Sequence, residues 1–316
     1  MMTSPQATAV SVIICTRNRG DQIIAAVRSV LASAYSQFEF LIIDQSTNDE
    51  TVNAIAPFAH DGRLRLVRSD TVGKGNALNL GLSLAQGEII ALTDDDCIVP
   101  HDWLGQIVAL FTENPRLGVA YTSVTAAPFD AKKGFIPTHE YQKSRLVTAV
   151  SQNPWGMGAA CAVRKETVKK LGGIDAMLGP GSPFFSAEDT DLMLRALLHG
   201  YQIYELSETA VVHDGFRTWE QGRQLMRRDW SALGAVYAKL LRHNARTILP
   251  FIWHEVSHKL LLPPVKNLVI ERQLRGYIPL RSFLEGFWRG WQTPVNPETL
   301  RFAINPGHPP RAEAPG

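Results

Sequence analysis

Short apolar runs alternate with longer amphipathic stretches along the first half of the chain. Residues 9–14, 38–43, 64–67, 88–92 and 117–124 are apolar runs bounded by polar clusters and read as strands. Between them, residues 21–34, 49–59, 76–85 and 102–113 carry a helical period. Strand and helix in alternation at this spacing predict βαβ units and a parallel sheet. Residues 126–154 lack periodicity and hold Pro128, Pro137 and Pro154, so a loop or short-helix insert over the sheet is expected. The small apolar stretch 156–163 predicts a strand, and residues 165–171 a short helix. The Gly/Pro-rich stretch 179–183 predicts a mobile lid. A helix over 186–198 and two closing strands, 202–206 and 209–212, lead to His213. Beyond it the pattern is helical, with segments at 218–241, 246–262, 266–275 and 280–291.

Three of the expected strands end in polar clusters: Thr16-Arg17-Asn18-Arg19, Asp44-Gln45-Ser46-Thr47-Asn48 and Asp94-Asp95-Asp96. Ligands bind parallel sheets beyond the carboxyl ends of the strands, so these loops are expected to build one site. Adjacent carboxylates repel one another. A divalent cation such as Mg²⁺ or Mn²⁺, which takes oxygen ligands, would relieve that repulsion. A solvated acidic turn capping the next helix is the plainer alternative. Gly73-Lys74-Gly75, just before a helix at Asn76, offers backbone N–H groups and a cation to an anion, or simply a flexible helix start. Glu188, Asp189 and Asp191 crowd the first turn of the helix expected from Ser186. Ser186 and Asp189 have capping-box spacing, but a cap needs one acid rather than three. His213, at a strand end, is either structural or a ligand. No G-x-G-x-x-G follows the first strand and no G-x-x-x-x-G-K-[ST] occurs, which counts against dinucleotide dehydrogenases and P-loop NTPases.

A hydrophobic fraction of 45% over 316 residues supports one large core. Three cysteines, Cys15, Cys97 and Cys161, are too few and too apolar in context for a disulfide framework, and point to a reducing compartment. The start of the chain carries no recognisable signal peptide, and no apolar run of transmembrane length occurs. The net charge of +2 conceals an asymmetry. Residues 1–216 hold 17 basic and 23 acidic side chains, whereas residues 217–316 hold 15 and 7. An acidic body with a basic C-terminal third predicts two jobs in one chain.

Taken together, Val12–Arg19, Leu41–Thr51, Gly73–Asn79, Gly87–Asp96, Gly158–Arg164, Leu171–Asp175 and the Glu188-Asp189 pair before Leu192 resemble the family 2 glycosyltransferases. The resemblance runs from Ser11 to His213. It implies an α/β chain of GT-A type: a Rossmann-like, mostly parallel sheet flanked by helices, with the catalytic domain at 1–216 and a helical extension at 217–304. It also implies a nucleotide-diphosphate sugar donor, UDP-sugar first and dTDP- or GDP-sugar as alternatives, and a divalent Mn²⁺ or Mg²⁺. Asp44 would then contact the base, beside Gln45, where many relatives carry an acid or a small residue. Thr16, Arg17, Asn18, Arg19, Lys74, Asn76, Asp94 and Asp95 fall to the donor, and Asp96 and His213 to the metal. The Glu188–Asp189 pair supplies catalysis, with Asp189 as base. Trp155, Gly156 and Met157 lie in the segment expected to meet the acceptor, a hydroxyl on a cell-envelope glycan, polysaccharide or lipid-linked sugar. One base and an in-line displacement would invert the anomeric centre. A non-catalytic sugar-nucleotide-binding scaffold is the alternative from another class.

In the C-terminal third, Trp253, Phe283, Phe287, Trp288 and Trp291 are interleaved with Arg272, Arg275, Arg281 and Arg289. This composition predicts an anionic membrane surface as partner, at the inner face of the cell membrane, rather than nucleic acid. The competing expectation is an ordinary helical subdomain. The same region spells His254-Glu255-Val-Ser-His258, a literal zinc-protease pattern and a remote alternative function. The Pro-rich residues 305–316 are expected to be a disordered tail.

Overall fold

The computed structural model describes residues 10–243, 245–270, 272 and 276–303, so the tail expectation lies outside the described residues. The first half alternates as the apolar pattern predicts. It runs β1 (Val10–Thr16), α1 (Ile24–Leu31), β2 (Phe38–Asp44), α2 (Glu50–Ile55), β3 (Leu64–Arg68), α3 (Lys74–Leu84), β4 (Ile89–Asp94), β5 (Cys97–Ile98), α4 (Trp103–Glu113) and β6 (Leu117–Ala126). The second half holds β7 (Gly134–Phe135), β8 (Arg145–Val147), β9 (Ala160–Arg164), α5 (Lys165–Lys170), α6 (Glu188–Leu198), β10 (Gln202–His213) and β11 (Arg217–Thr218). The C-terminal helices are α7 (Trp219–Arg242), α8 (Leu249–Glu255), α9 (Leu262–Ile270) and α10 (Ile278–Gln292).

The main sheet has the order β3-β2-β1-β4-β9-β6-β10-β5, with β8 paired to β10. Strands β3, β2, β1 and β4 are mutually parallel, whereas β9 runs antiparallel to both β4 and β6. Continuous apolar runs arise because this sheet is covered on both faces. Along β2, Phe38, Phe40 and Ile42 enter one core and Leu41 and Ile43 the other. That is the period-2 alternation of a strand buried twice.

Several expectations need correction. The two closing strands are one, β10, whose pairing with β6 shifts register between Leu206 and Ala210. The strand read from Gly156 begins only at Ala160, because residues 156–158 form cavity wall instead. Part of the insert at 126–154 does pair, β8 with β10 and β7 with β11. The segment 246–262 is not one α-helix: after α8, residues Val256–Leu261 wind as a π-helix into α9. The capping box at Ser186 is absent. Ala187 is the N-cap of α6, with a left-handed φ of 68° and no side-chain cap. A capping box occurs at α7 instead, where the Thr218 hydroxyl accepts from Gln221 N–H at 3.2 Å and Gln221 Oε1 accepts from Thr218 N–H at 2.8 Å.

Helix α7 shares the body's core. Ala232, Leu233, Ala235, Val236, Tyr237 and Leu240 are buried with residues of α6 and the sheet. On the same helix Lys239, fully buried, meets Asp175 at 2.5 Å and Asp191 at 2.7 Å, and Asp191 is bonded to Arg195 at 2.8 Å. Gly234, Gly286 and Gly290 let α7 and α10 cross backbone to backbone; a Cβ at Gly286 would overlap the Ser231 carbonyl.

Candidate active site at the carboxyl edge of the sheet

Strand register gathers the site. In the parallel ladders Thr16 stands beside Asp44 and Cys15 beside Asp94. The loops beyond these ends, the end of β10 and the start of α6 enclose a cavity of about 630 Å³. That volume is in the range of small-molecule sites. Its wall includes Thr16, Arg17, Arg19, Gln45, Lys74, the three acids Asp94, Asp95 and Asp96, the segment Trp155-Gly156-Met157, the pair Glu188-Asp189, and His213. Asn18, Asp44 and Asn76 stand behind that wall. Asn18, in a left-handed conformation, accepts from Thr47 N–H at 2.9 Å and ties the first loop to the second. Asn76 donates to the Val72 carbonyl at 2.8 Å. Asp44 is fully buried; its Oδ1 accepts from Ser46 N–H, and its Oδ2 has no hydrogen-bond partner among the described residues.

The acidic triplet is paired with the chain's own cations, a relief of its repulsion absent from the sequence expectation of a divalent cation or solvent. Arg19 reaches Asp95 at 3.2 Å and Asp96 at 2.5 Å, and Lys74 reaches Asp94 at 2.6 Å and Glu188 at 3.6 Å. The neighbouring carboxyls nonetheless diverge. Burial raises the pKa of Asp95 against the pull of Arg19 and the Thr16 hydroxyl, which donates to it at 2.6 Å. Burial works the same way on Asp96, but the His213 hydrogen bond and charge, with Arg19 and Arg217, outweigh it and hold that carboxyl at about 2. Burial, opposed by Lys74 and reinforced by Asp189, pushes Glu188 up to about 7.

His213 donates from Nδ1 to the Pro137 carbonyl at 2.8 Å and turns Nε2 to Asp96 Oδ1 at 3.5 Å. A backbone carbonyl on one ring nitrogen is what orients a ligating histidine on the other. Asp96, Cys97 and His213 form the one group of metal-ligating side chains that converges among the described residues. Burial raises the Cys97 thiol pKa in the metal-free chain. The oxygen and imidazole pair suits Mn²⁺ or Mg²⁺ better than a soft ion.

In the same cavity, Asp189 Oδ2 accepts from Gly158 N–H at 3.0 Å and Oδ1 from Thr190 N–H at 2.6 Å. The Thr190 hydroxyl adds a longer bond to Oδ1 at 3.4 Å, so backbone and side chain together orient the carboxylate. Pattern reading missed Pro137, Arg217 and three residues of α7 that join the wall: Leu225, Asp229 and Leu233. A signal for the last three existed: an acid placed four residues from each of two leucines lies on an otherwise apolar helix stripe.

The two histidines of the zinc-protease pattern do share a helix face, their ring centroids 4.5 Å apart, but no third ligand joins them among the described residues. Glu255 is buried and paired with Lys259 at 2.7 Å, and His258 Nδ1 lies 3.0 Å from the His254 carbonyl. Of the two acids considered as third ligand, Glu285 pairs with Arg281 at 2.7 Å, and Glu271 lies outside the described residues.

These features define an α/β protein whose ligand site lies at the carboxyl edge of a mostly parallel sheet. The chain belongs to glycosyl transferase family 2, whose model matches residues 11–172. It is 29% identical over 229 residues to the beta-monoglucosyldiacylglycerol synthase of Trichormus variabilis, covering 67% of this chain and 47% of that one. The chain thus spans about half the length of the curated relatives it matches first. Its fold is that of the GT-A enzymes. The mannosyltransferase PcManGT from Pyrobaculum calidifontis, in complex with GDP-Man and Mn²⁺, superposes with a TM-score of 0.62 at 19% identity, over 93% of this chain and 78% of that one. S. aureus TarS 1-349 in complex with UDP-GlcNAc gives 0.57 at 16% identity, over 96% and 98%.

Proposed function

We propose that this chain transfers a sugar from a nucleotide-diphosphate donor to a hydroxyl acceptor with inversion, assisted by a divalent metal. The observation that carries the reading is that two unlike groups line one cavity: the Asp96–His213 pair and the Asp189 carboxylate held by the Gly158 and Thr190 N–H groups. Asp96 and His213 would hold the Mn²⁺ or Mg²⁺, which when bound stabilises negative charge on the departing diphosphate. Asp189 takes the proton of the acceptor hydroxyl as its oxygen bonds to the anomeric carbon and the bond to the diphosphate breaks. Asp44 Oδ2 is buried, makes no hydrogen bond among the described residues and has Arg68 Nε 3.8 Å away; it suits a donor N–H of the nucleotide base. A UDP-sugar is the first donor to try, followed by GDP- and dTDP-sugars. The acceptor class is a glycan or lipid-linked sugar.

We also read the C-terminal helices as a peripheral docking face for an anionic membrane. No described helix is long and apolar enough to cross one. Trp253, Val269 and Trp288 are nevertheless 68%, 71% and 63% exposed. Leu284, Trp288 and Trp291 share the outer face of α10, whose inner face carries Phe283, Gly286 and Gly290. Exposed Arg246 and Lys266 supply positive charge, whereas Arg281 is offset by Glu285 at 2.7 Å. The function is tested by thermal-shift titration with UDP-glucose, UDP-GlcNAc and GDP-mannose, with and without Mn²⁺. One of them is expected to stabilise the chain only with metal; no stabilisation by any would count against the reading.

A further inference from the structure

Helix α7 presents a lone acid to the cavity. Leu225, Asp229 and Leu233 are four residues apart, so they form one stripe of the helix, and all three line the wall. Asp229 receives a hydrogen bond from the Ser186 hydroxyl at 2.6 Å on Oδ1. The Ser186 bond is the one polar contact made by its carboxyl among the described residues, and it leaves Oδ2 open to the cavity. The only other charge acting on it is Asp189, of like sign, and burial drives the carboxyl up to about 6. A carboxylate set between two leucines, with no cation, gains nothing for the fold that a neutral side chain would not give.

The loop beneath it is held in place from α7. Arg228 lies 4.8 Å over the Phe185 ring, and the next residue, Asp229, takes Ser186. Phe185 and Ala187, on either side of Ser186, both have positive φ, 35° and 68°. Strained non-glycine backbone of this kind persists where the surroundings enforce it, often at functional sites. The strained turn leads directly into Glu188 and Asp189, so Asp229 and the expected base share a wall. Trp155 and Met157 also line this cavity, adding an aromatic and a thioether surface.

We propose that Asp229 and Ser186 form the acceptor subsite, with Asp229 Oδ2 accepting from hydroxyls of a sugar ring that packs on Trp155 and the two leucines. This rests on the sugar-transfer reading and deepens it. A ring beside Asp229 would turn a neighbouring hydroxyl to Asp189. Aromatic faces and carboxylates paired with hydroxyls are complementary to carbohydrate, which has apolar C–H faces and polar edges.

The test is equilibrium titration of the full chain with n-octyl β-D-glucoside, N-acetylglucosaminide and mannoside, each with and without saturating UDP and Mn²⁺. Asp229→Asn and Ser186→Ala are compared with wild type, and UDP affinity and Tm are measured alongside. Wild type is expected to bind at least one glycoside saturably. Asp229→Asn should weaken that binding at least about fivefold and leave UDP affinity within about twofold, since the donor wall is untouched. Three results would overturn the proposal: no glycoside bound by wild type, unchanged glycoside binding in Asp229→Asn, or equal loss of UDP and glycoside binding. The last would make Asp229 a strap for the loop. Failure of wild type to bind UDP would defeat the sugar-transfer reading instead, and the titrations without UDP still decide the subsite.

Discussion

His213 faces Asp96 across 3.5 Å with Nε2 while the Pro137 carbonyl holds its Nδ1 at 2.8 Å. The Pro137 carbonyl fixes a proton on Nδ1, and against burial the hydrogen bond and charge of protonated His213 hold the Asp96 carboxyl at about 2; a bound metal would take the place of the Nε2 proton. Replacing either residue should therefore act on metal-dependent donor affinity. Asp96→Ala and His213→Ala are each expected to lower calorimetric affinity for UDP in the presence of Mn²⁺ by at least about tenfold, with no comparable effect in EDTA. Equal losses with and without metal would assign the pair to direct nucleotide contact.

The buried Lys239 network is expected to be structural. Asp191 has its pKa lowered, because Arg195 and Lys239 together overcome its burial. The Lys239–Asp191 contact at 2.7 Å is an ion pair whose angles fall short of a hydrogen bond. Lys239→Met would leave Asp175 without its charge partner in the core. A loss on the order of 3–5 kcal/mol is expected in denaturant unfolding. A loss below about 1 kcal/mol would mean that the helix is held by apolar packing alone.

Glu188 makes stability fall with pH. Its folded pKa, about 7, lies above the ordinary value of 4.5. Between those two values the folded chain keeps a proton that the unfolded chain releases. The contribution is complete below pH 4.5 and is lost as pH rises through 7. Glu188→Gln should flatten the pH dependence of unfolding free energy in that window. An unchanged slope would show that Lys74 offsets the burial fully.

Membrane docking predicts that the full chain floats with vesicles of phosphatidylcholine and phosphatidylglycerol at low salt. Val269→Asp should reduce flotation, and 0.5 M salt should weaken it by screening the basic residues. Absence from the vesicle fraction at low salt would leave the exposed apolar face for another partner.

The first half of the fold was legible because its strands are buried on both faces and its helices on one, so hydrophobic period and length agree. The convergence of the three strand-end loops was legible for the same reason: Thr16, Asp44 and Asp94 are strand-end residues, and parallel register aligns such ends. The antiparallel insertion of β9 was not legible, since Ala160–Arg164 is as apolar as its parallel neighbours. The start of α6 was misread because Ser186 has the chemistry of a cap but spends its hydroxyl on Asp229, some forty residues away in sequence. The neutralisation of the triplet by Arg19 and Lys74 was equally hidden, since only the folded sheet edge brings them together. The α7 wall escaped notice because the C-terminal third was judged by its bulk charge rather than by the one acid on its buried stripe.

The central claim is that Asp189 removes the acceptor proton while the donor is held elsewhere. The most direct measurement is transfer rate and donor affinity of Asp189→Asn, assayed with the nucleotide sugar that stabilises wild type. A fall in kcat of about 10²–10⁴-fold is expected, with donor Kd unchanged within about twofold. Gly158 and Thr190 N–H bond different oxygens of Asp189, and the asparagine oxygen can keep only one of them, so Tm is measured alongside to show that the fold is kept. Transfer at near wild-type rate in this variant would contradict the account.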